Sequence, residues 1–465
     1  MADRNGLDLV VIGSGPGGYV AAVHAARLGL KVACVEKNPR LGGVCLNVGC
    51  IPSKALLDSS EFYHLAKDKL GVHGVQTGRV ALDLGAMMAR KDKVVAELTD
   101  SVQKLLENHK IRIVPGEARL SGPDQVTVAP ADGGKPQTLA AGAILLATGS
   151  EPVALPGLAF DGERVVSSTE ALAFDAVPKH LAIVGGGYIG LELGSVWQRL
   201  GAKVTVIEML PQIAAGLDGQ IGRKLKQVLT RQGFAFRLGT RVTEAGVKGK
   251  TVRVSLEAGD KAETLTCERL LVAVGRRPRT RGLGLEAVGV ETDPKTGQVL
   301  VDAAYRTKVP TVYAIGDLVA GPMLAHKASA EGRAAAEIIA GRSAEVNYDA
   351  IPSIVYTSPE VAAVGLTQEQ VKERGIPHRI GTTPFAGSGR ARCMGETEGL
   401  VKVIAHEKTD RILGVHIIGP RASDLIAEAV LALELGAAAE DIALTVHGHP
   451  TFGEALMEAA LAVQK

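Results

Sequence analysis

Two cysteines, Cys45 and Cys50, stand five positions apart in the run GGVCLNVGCIPSK at 42 to 54. A thiol pair so placed can trade two electrons by opening and closing a disulfide. Five residues of regular α-helix rise about 7.5 Å, whereas a disulfide needs its Cα atoms within about 7 Å, so an undistorted helix does not close the bond. Local distortion is therefore expected, and Asn47 and Gly49 lie where they permit it. A bridge made under such constraint is easier to reduce than a structural one, which suits a disulfide that opens in every turnover. Zinc binding is the rival chemistry for two cysteines. Zinc ligands usually come as close pairs with a second pair downstream, and the chain has none, so no metal site is expected.

Thiol chemistry needs a base, and the C-terminal run HGHPTFGE at 447 to 454 offers one. An imidazole with an ordinary pKa near 6.5 takes a proton from a substrate thiol around neutral pH. A carboxylate beside it fixes the tautomer and stabilises the imidazolium. His449 is read as the base and Glu454 as the residue that orients it. His447 is read as structural, because no third strong ligand accompanies the HxH pair.

The thiols follow a glycine-rich turn. DLVVIG leads into Gly13-Ser-Gly15-Pro-Gly-Gly18, then YVAAVHAARLG, then KVACVEK with Glu36 near its end, a strand, turn, helix and strand in order. Such glycines let backbone approach a pyrophosphate, the helix N-terminus favours its charge, and the acid accepts from ribose hydroxyls. The whole unit returns as HLAIVG, Gly185-Gly-Gly187-Tyr-Ile-Gly190, LELGSVWQRLG and KVTVIE, ending at Glu208. In both copies the acid lies 23 residues after the first glycine (13 to 36, 185 to 208). Both copies then end in a matching strand and turn, AILLATGSEP and RLLVAVGRRP. The first copy is longer by 46 residues (13 to 149 is 136, 185 to 275 is 90). Part of that excess holds the cysteines. Part reads as an amphipathic helix with Leu84, Met87, Met88, Val94, Val95, Leu98, Val102, Leu105 and Leu106 at helical spacing, a packing element.

Only the first nucleotide unit has thiols beside it, and flavin is the usual carrier between a dithiol and a nicotinamide. FAD is expected at the first site and a nicotinamide dinucleotide at the second. Glu208 would repel a 2′-phosphate, and the following MLPQI offers no arginine to welcome one, so NAD is favoured over NADP.

Composition narrows the class. A chain of 465 residues accommodates three or four domains, and with aromatics at 3% its cores must be aliphatic. Its 56 glycines fit many tight turns rather than disorder, since no low-complexity stretch accompanies them. A net charge of +2 argues against a nucleic-acid partner. No apolar run reaches about 18 residues, so no membrane association is expected. The first strand is expected to begin by about Asp8, so no signal peptide is expected in the sequence. Five cysteines are too sparse for a secreted disulfide scaffold, and the expectation is a cytoplasmic protein. Cys34, Cys267 and Cys393 read as small buried apolar residues.

These residues resemble the pyridine nucleotide–disulfide oxidoreductase family over nearly the whole chain. GGVCLNVGCIPSK, the paired nucleotide units, TVYAIGD at 311 to 317 and HGHPTFGE carry the likeness. The resemblance implies an α/β fold with two Rossmann-like dinucleotide-binding domains and a C-terminal α+β dimerisation domain. Its boundaries are 1–150 for FAD and the redox disulfide, 151–277 for NAD, 278–345 for a central domain completing the FAD site, and 346–465 for the interface. It implies that Asp317 binds the flavin ribityl chain, that Met323, Leu324, Ala325 and His326 pass close to the flavin, and that Lys54 and Glu192 form an ion pair beside its ring. Gly116, Thr148 and Gly149 join the first cofactor site on the same ground, and Gly275 the second.

By the same resemblance the activity is oxidation of protein-bound dihydrolipoamide to lipoamide with NAD+ as acceptor. Cys45 would exchange with substrate and Cys50 face the flavin. The 447–454 segment would reach the thiols of the other subunit of an obligate homodimer, whose further partners are lipoyl domains and the core subunit of 2-oxoacid dehydrogenase or glycine cleavage complexes. The chain departs from the commoner HAHPTLSE at Gly448, Phe452 and Gly453, which spares the acid–base pair. Alternatives are another disulfide reductase of the family or a non-catalytic scaffold subunit. The missing vicinal C-terminal cysteines disfavour a mercuric reductase, the missing arginines after Glu208 disfavour a glutathione reductase, and the intact Cys45, Cys50, His449 and Glu454 disfavour a scaffold.

Overall fold

The computed structural model describes residues 6–464, so residues 1–5 and 465, at the outer bounds of the first and last expected domains, lie outside the described residues. The chain gathers into two compact units whose segments interleave. One takes the chain up to Leu56, Asp83–Val153 and Gly275–Val346, and the other takes Leu57–Leu82, Ala154–Val274 and Asn347 onward. Segment 57–82, placed by the sequence in the first domain, groups with the second unit.

The first unit is built on parallel strands in the order Arg112–Pro115, Val32–Glu36, Leu7–Ile12 and Gln137–Leu146, and Val312–Ala314 adds to the far edge of the last. These strands read as near-continuous apolar runs because both faces of the sheet are covered. Successive side chains serve opposite cores: Leu9, Val11, Cys34 and Leu145 pack on one face, Val10, Ile12, Ala33, Val35 and Ile144 on the other. Burial pushes the Cys34 thiol up to about 12, so it behaves as an apolar side chain.

Helix Pro16–Arg27 crosses the first face, with proline at its first turn where no donor is lost. Helix Ala325–Ile339 lies against it. Small residues set their separation: a Cβ on Gly332 would come within 2.5 Å of the Gly17 carbonyl oxygen, and one on Gly17 within 3.1 Å of the Ala328 carbonyl oxygen. The expected amphipathic helix spans Leu84–Asn108, started by Asp83, whose carboxylate accepts from the Ala86 amide. Its buried stripe is Lys91, Val95, Thr99, Val102 and Leu106, while Leu98 is exposed. The apolar spacing located the helix but not the whole buried face, which admits a lysine and a threonine.

The second unit repeats the plan. Its strands run in the order Phe234–Arg237, Lys203–Ile207, His180–Val184, Arg269–Val272 and Val165–Val166, all parallel. The correspondence extends to single backbone bonds. Six residues after Glu36 the Gly42 amide donates to the Ser14 carbonyl at 3.1 Å, and six after Glu208 the Ala214 amide donates to the Gly186 carbonyl at 2.7 Å. Both donors have positive φ, 95° at Gly42 and 47° at Ala214. Helix Tyr188–Arg199 buries Trp197, whose indole N–H donates to the Ala171 carbonyl at 3.0 Å.

The same unit carries an antiparallel sheet in the order Ser353–Val355, Glu360–Gly365, Ile412–Gly419, Leu400–His406 and His378–Pro384, packed by helices Ala422–Glu434 and Glu454–Val463. This is the mixed sheet-and-helix pattern expected from 346 onward. Cys267 is buried as expected, with its thiol pushed up to about 12 by burial. Cys393 is not: it lies exposed on the short helix Gly389–Met394, because Ala391 takes that helix's buried position. No helix among the described residues is long and apolar enough to cross a membrane.

The Gly332→Ala substitution tests the helix contact. With backbone as the neighbour, the two helices must part, and a loss of about 1–3 kcal/mol in denaturant unfolding is expected. A neutral result would show that the helices have room to spare.

Candidate active site

The two glycine turns are alike in what their glycines do. A Cβ on Gly13 would overlap the Ala147 carbonyl oxygen and one on Gly185 the Ala273 carbonyl oxygen, while Cβ atoms on Gly18 and Gly190 would run into the carbonyl oxygens of Gly13 and Gly185. These four are glycine because backbone lies against backbone. Gly15 and Gly187 differ, since a Cβ there would meet nothing within 4 Å. Each precedes an uncapped helix N-terminus with no side chain satisfying its amides. Space kept clear over unpaired N–H groups fits a pyrophosphate, so the residues present suit a dinucleotide in both units.

The acids that end the second strands hold these turns. Glu36 Oε2 accepts from the Ser14 amide at 3.0 Å and the Ser14 hydroxyl at 2.6 Å, and its Oε1 accepts from the Asn38 amide and side chain at 2.9 and 2.8 Å. Glu208 Oε2 accepts from the Gly186 amide at 2.6 Å and its Oε1 from the Leu210 amide at 2.8 Å. The expectation from sequence was ribose binding alone. The structure adds a second task, orientation of the turn.

In the first unit the thiol segment is seated on this turn. Besides the Ser14 carbonyl, the Gly42 amide reaches the Ser14 hydroxyl at 3.2 Å, and a Cβ on Gly43 would come within 2.6 Å of the Gly15 Cα. Asn47 Nδ2 donates to the carbonyls of Leu41 and Gly43, both at 2.9 Å. Helix Gly43–Val48 then stops at Gly49, and a new helix, Cys50–His64, begins. The distortion expected between the thiols is this break. A Cβ on Gly49 would lie 2.9 Å from the Val44 carbonyl oxygen, so the chain folds back too closely for a side chain.

Neither Cys45 nor Cys50 is in a disulfide, and the two thiols hydrogen-bond each other. That bond, and then burial, push the Cys45 thiol far above its usual value, with the Lys54 charge opposing weakly.

Two residues that sequence reasoning passed over lie in the same unit. Arg276 Nε donates to the Ser150 hydroxyl and Nη2 to the Ser150 carbonyl, each at 2.8 Å, and the Ser150 hydroxyl donates to Asp317 Oδ2. Burial lowers the Arg276 guanidinium, opposed by Asp317 and, more weakly, by Cys50. The signal was present as the serine and first arginine of ATGSEP and VGRRP, but 126 residues separate the partners.

The remaining first-unit candidates are close neighbours of these elements. The Gly116 amide donates to the Glu36 carbonyl at 2.8 Å, and the Thr148 hydroxyl donates to the Arg279 carbonyl at 2.7 Å. Gly149 has φ 71° and faces open space. Met323 and Leu324 precede, and Ala325 and His326 open, helix Ala325–Ile339. Gly275, expected at the second nucleotide, groups instead with the first unit, where its carbonyl accepts from the Val153 amide at 3.1 Å.

In the second unit Glu192 is 5% exposed and accepts from the Tyr356 amide at 3.0 Å. His449 Nδ1 donates to Glu454 Oε1 at 2.7 Å, and Glu454 Oε2 accepts from the Thr451 amide at 2.8 Å. The His449 bond first, then the Thr451 bond, hold the Glu454 carboxyl below its usual value, so it is ionised at neutral pH. The imidazole is 79% exposed, open to a proton donor from outside. His447 has its Nδ1 2.8 Å from the Thr445 carbonyl oxygen and its Nε2 2.9 Å from Glu428 Oε1, both of them acceptors, as suits a structural residue. Phe452 is buried and meets Phe385 edge-on at 6.0 Å, so its extra bulk is taken up by the core rather than by the acid–base pair.

Comparison with known proteins agrees with this arrangement. Residues 7–332 match the family model described as pyridine nucleotide-disulphide oxidoreductase, and 351–460 match its dimerisation domain. The chain is 50% identical over 461 residues to the mitochondrial dihydrolipoyl dehydrogenases of Homo sapiens and Mus musculus, covering 98% of this chain and 90% of each of those proteins. Among solved structures, LpdA of Mycobacterium tuberculosis superposes with a TM-score of 0.91 at 26% identity, covering 98% of this chain and 99% of that one. The HOCl-induced flavoprotein disulfide reductase RclA of Escherichia coli gives 0.86 at 27%, covering 98% and 100%.

The two kinds of glycine should respond differently to substitution. Gly15→Ala and Gly187→Ala should leave unfolding of the cofactor-free protein within about 0.5 kcal/mol of the parent while weakening FAD and NAD binding respectively. Gly18→Ala and Gly190→Ala should lower stability itself, by about 1–3 kcal/mol. Equal behaviour of the two classes in calorimetry and cofactor titration would contradict the distinction.

Proposed function

The chain belongs to the pyridine nucleotide-disulphide oxidoreductase family, and on that premise we propose that it oxidises protein-bound dihydrolipoamide to lipoamide with NAD+ as acceptor. The observation that carries this reading is the seating of a mutually hydrogen-bonded Cys45 and Cys50 directly on the first dinucleotide turn. In the proposed assignment FAD is held by Gly13, Gly15, Gly18, Glu36, Lys54, Gly116, Thr148, Gly149, Asp317 and the 323–326 segment. NAD is held by Gly185, Gly187, Gly190 and Glu208. When bound, FAD supplies the two-electron carrier that links a dithiol to a nicotinamide.

The chain's own residues have these tasks. His449, oriented by Glu454, takes the proton of one substrate thiol. The resulting thiolate attacks the Cys45 sulfur, the Cys45–Cys50 bond breaks, and Cys50 leaves as thiolate. The second substrate thiol gives its proton to Cys45 as it attacks the substrate sulfur of the mixed disulfide, so lipoamide closes and Cys45 leaves as a thiol while the first proton stays on His449. The substrate has lost two electrons and the pair has gained them. In this assignment Cys50 is the sulfur left charged, as the one that leaves when Cys45 is attacked. The pair is reoxidised with NAD+ as acceptor, which leaves as NADH with one proton.

A homodimer follows from the dimerisation domain at 351–460, and an exposed His449 is placed to serve a substrate bound outside its own fold. The further partners we propose are lipoyl domains and the core subunit of a 2-oxoacid dehydrogenase or glycine cleavage complex. The proposal of a cytoplasmic protein rests on the sparse cysteines, while the mammalian relatives carry the word mitochondrial in their names.

NAD+ reduction followed at 340 nm with dihydrolipoamide as donor tests the activity. It should be abolished by Cys45→Ser. His449→Gln should slow reduction of the enzyme by dihydrolipoamide by about 10²–10⁴-fold while sparing reduction by NADH. Glutathione disulfide reduction driven by NADPH, with dihydrolipoamide inert, would overturn both the substrate and the reading of Glu208.

A further inference from the structure

Helix Ala325–Ile339 carries two charged side chains entirely out of water. Lys327 Nζ and Glu331 Oε1 lie 3.1 Å apart, one helical turn from each other, and both side chains are 0% exposed. Burying an ion pair is unfavourable unless further hydrogen bonds occupy its remaining donors and acceptors. Here one donor of the lysine and one oxygen of the glutamate converge on the same residue. Lys327 Nζ donates to the Gly316 carbonyl at 3.0 Å, and the Gly316 amide donates to Glu331 Oε2 at 2.7 Å. Gly316 has φ 72°, and a Cβ there would press on Ala328 Cβ at 3.1 Å. The turn Gly316–Leu318 is thus gripped on both sides of its first residue.

The grip fixes a direction. In a trans peptide the carbonyl and the following amide point oppositely, so a Gly316 carbonyl aimed at Lys327 turns the Asp317 amide away from the pair. All the partners belong to the chain itself, so the arrangement needs no ligand. The same helix rests on Pro16–Arg27 through Gly332 and Gly17, and so refers the turn to the helix whose N-terminus faces the open space at Gly15.

We propose that the Lys327–Glu331 pair is a positioning device that holds the Gly316–Leu318 turn, and with it Asp317, in flavin-binding geometry before the cofactor arrives. It rests on the reading of Asp317 as a flavin contact. Order established in advance raises affinity, because binding then does not have to fix the turn.

The test uses the full chain stripped of FAD and reconstituted. In the parent protein the Gly316 amide should exchange slowly with solvent deuterium whether or not FAD is bound. The double substitution Lys327→Met with Glu331→Leu removes both charges together, a change that need not harm stability. It should unfold near the parent temperature, exchange rapidly at Gly316 without FAD, and bind FAD about tenfold or more weakly. Parent-like FAD affinity in this variant would overturn the proposal. So would a parent turn that exchanges rapidly until FAD is added, a measurement that decides the matter even if the double variant does not fold. Asp317→Asn separates the premise from the device: parent-like FAD affinity there, with slow Gly316 exchange retained, would remove the premise and the proposal with it.

Discussion

The buried carboxylate of Glu36 accepts from both the amide and the hydroxyl of Ser14, and the functional half of the first unit hangs on that contact. A carboxylate with only 6% of its surface exposed must be supplied with donors, and Ser14 is placed to give two. Hydrogen bonds to a charged group are worth about 1.5–3 kcal/mol each, enough to fix the turn between the first strand and its helix. Ser14 then presents its carbonyl and hydroxyl to the Gly42 amide and so seats the thiol helix. Cofactor turn and redox pair thereby share one anchor, and motion of either is motion of both.

The second unit shows what the anchor becomes without thiols. Glu208 holds the Gly186 amide as Glu36 holds that of Ser14, but glycine brings no hydroxyl. The segment after Glu208 still folds back, through Ala214, onto the Gly186 carbonyl. It then leads to helix Gly219–Arg231 instead of a cysteine-bearing helix. One plan thus serves two tasks, and the difference comes down to a serine and an inserted thiol segment.

Much of this was legible in the chain. The repeat was readable because it is written in local periods: strand, glycine turn, helix, strand, and an acid 23 residues on. The break between the thiols was readable because helix rise and disulfide reach are fixed lengths. What escaped depended on chain crossings that local pattern does not encode. Arg276 meets Ser150 across 126 residues, and Ser150 meets Asp317 across 167. Lys91 is buried on a helix whose apolar spacing suggested only leucines, valines and methionines, since long side chains hide their stems and periodicity does not register them. Cys393 was expected inside because cysteine usually is, yet a six-residue helix has only a narrow buried side and Ala391 occupies it.

Ala214 keeps φ at 47°, a conformation that is costly for any residue with a Cβ, at the position where the first copy has Gly42. A chain drawn afresh would place glycine there. Two halves that share a backbone path down to this one residue, while differing in the side chains along it, carry the mark of an ancestral duplication. The main chain keeps the same course in both copies even where one of them carries a Cβ that makes it unfavourable. Geometry, more than sequence, is what the two halves have inherited in common.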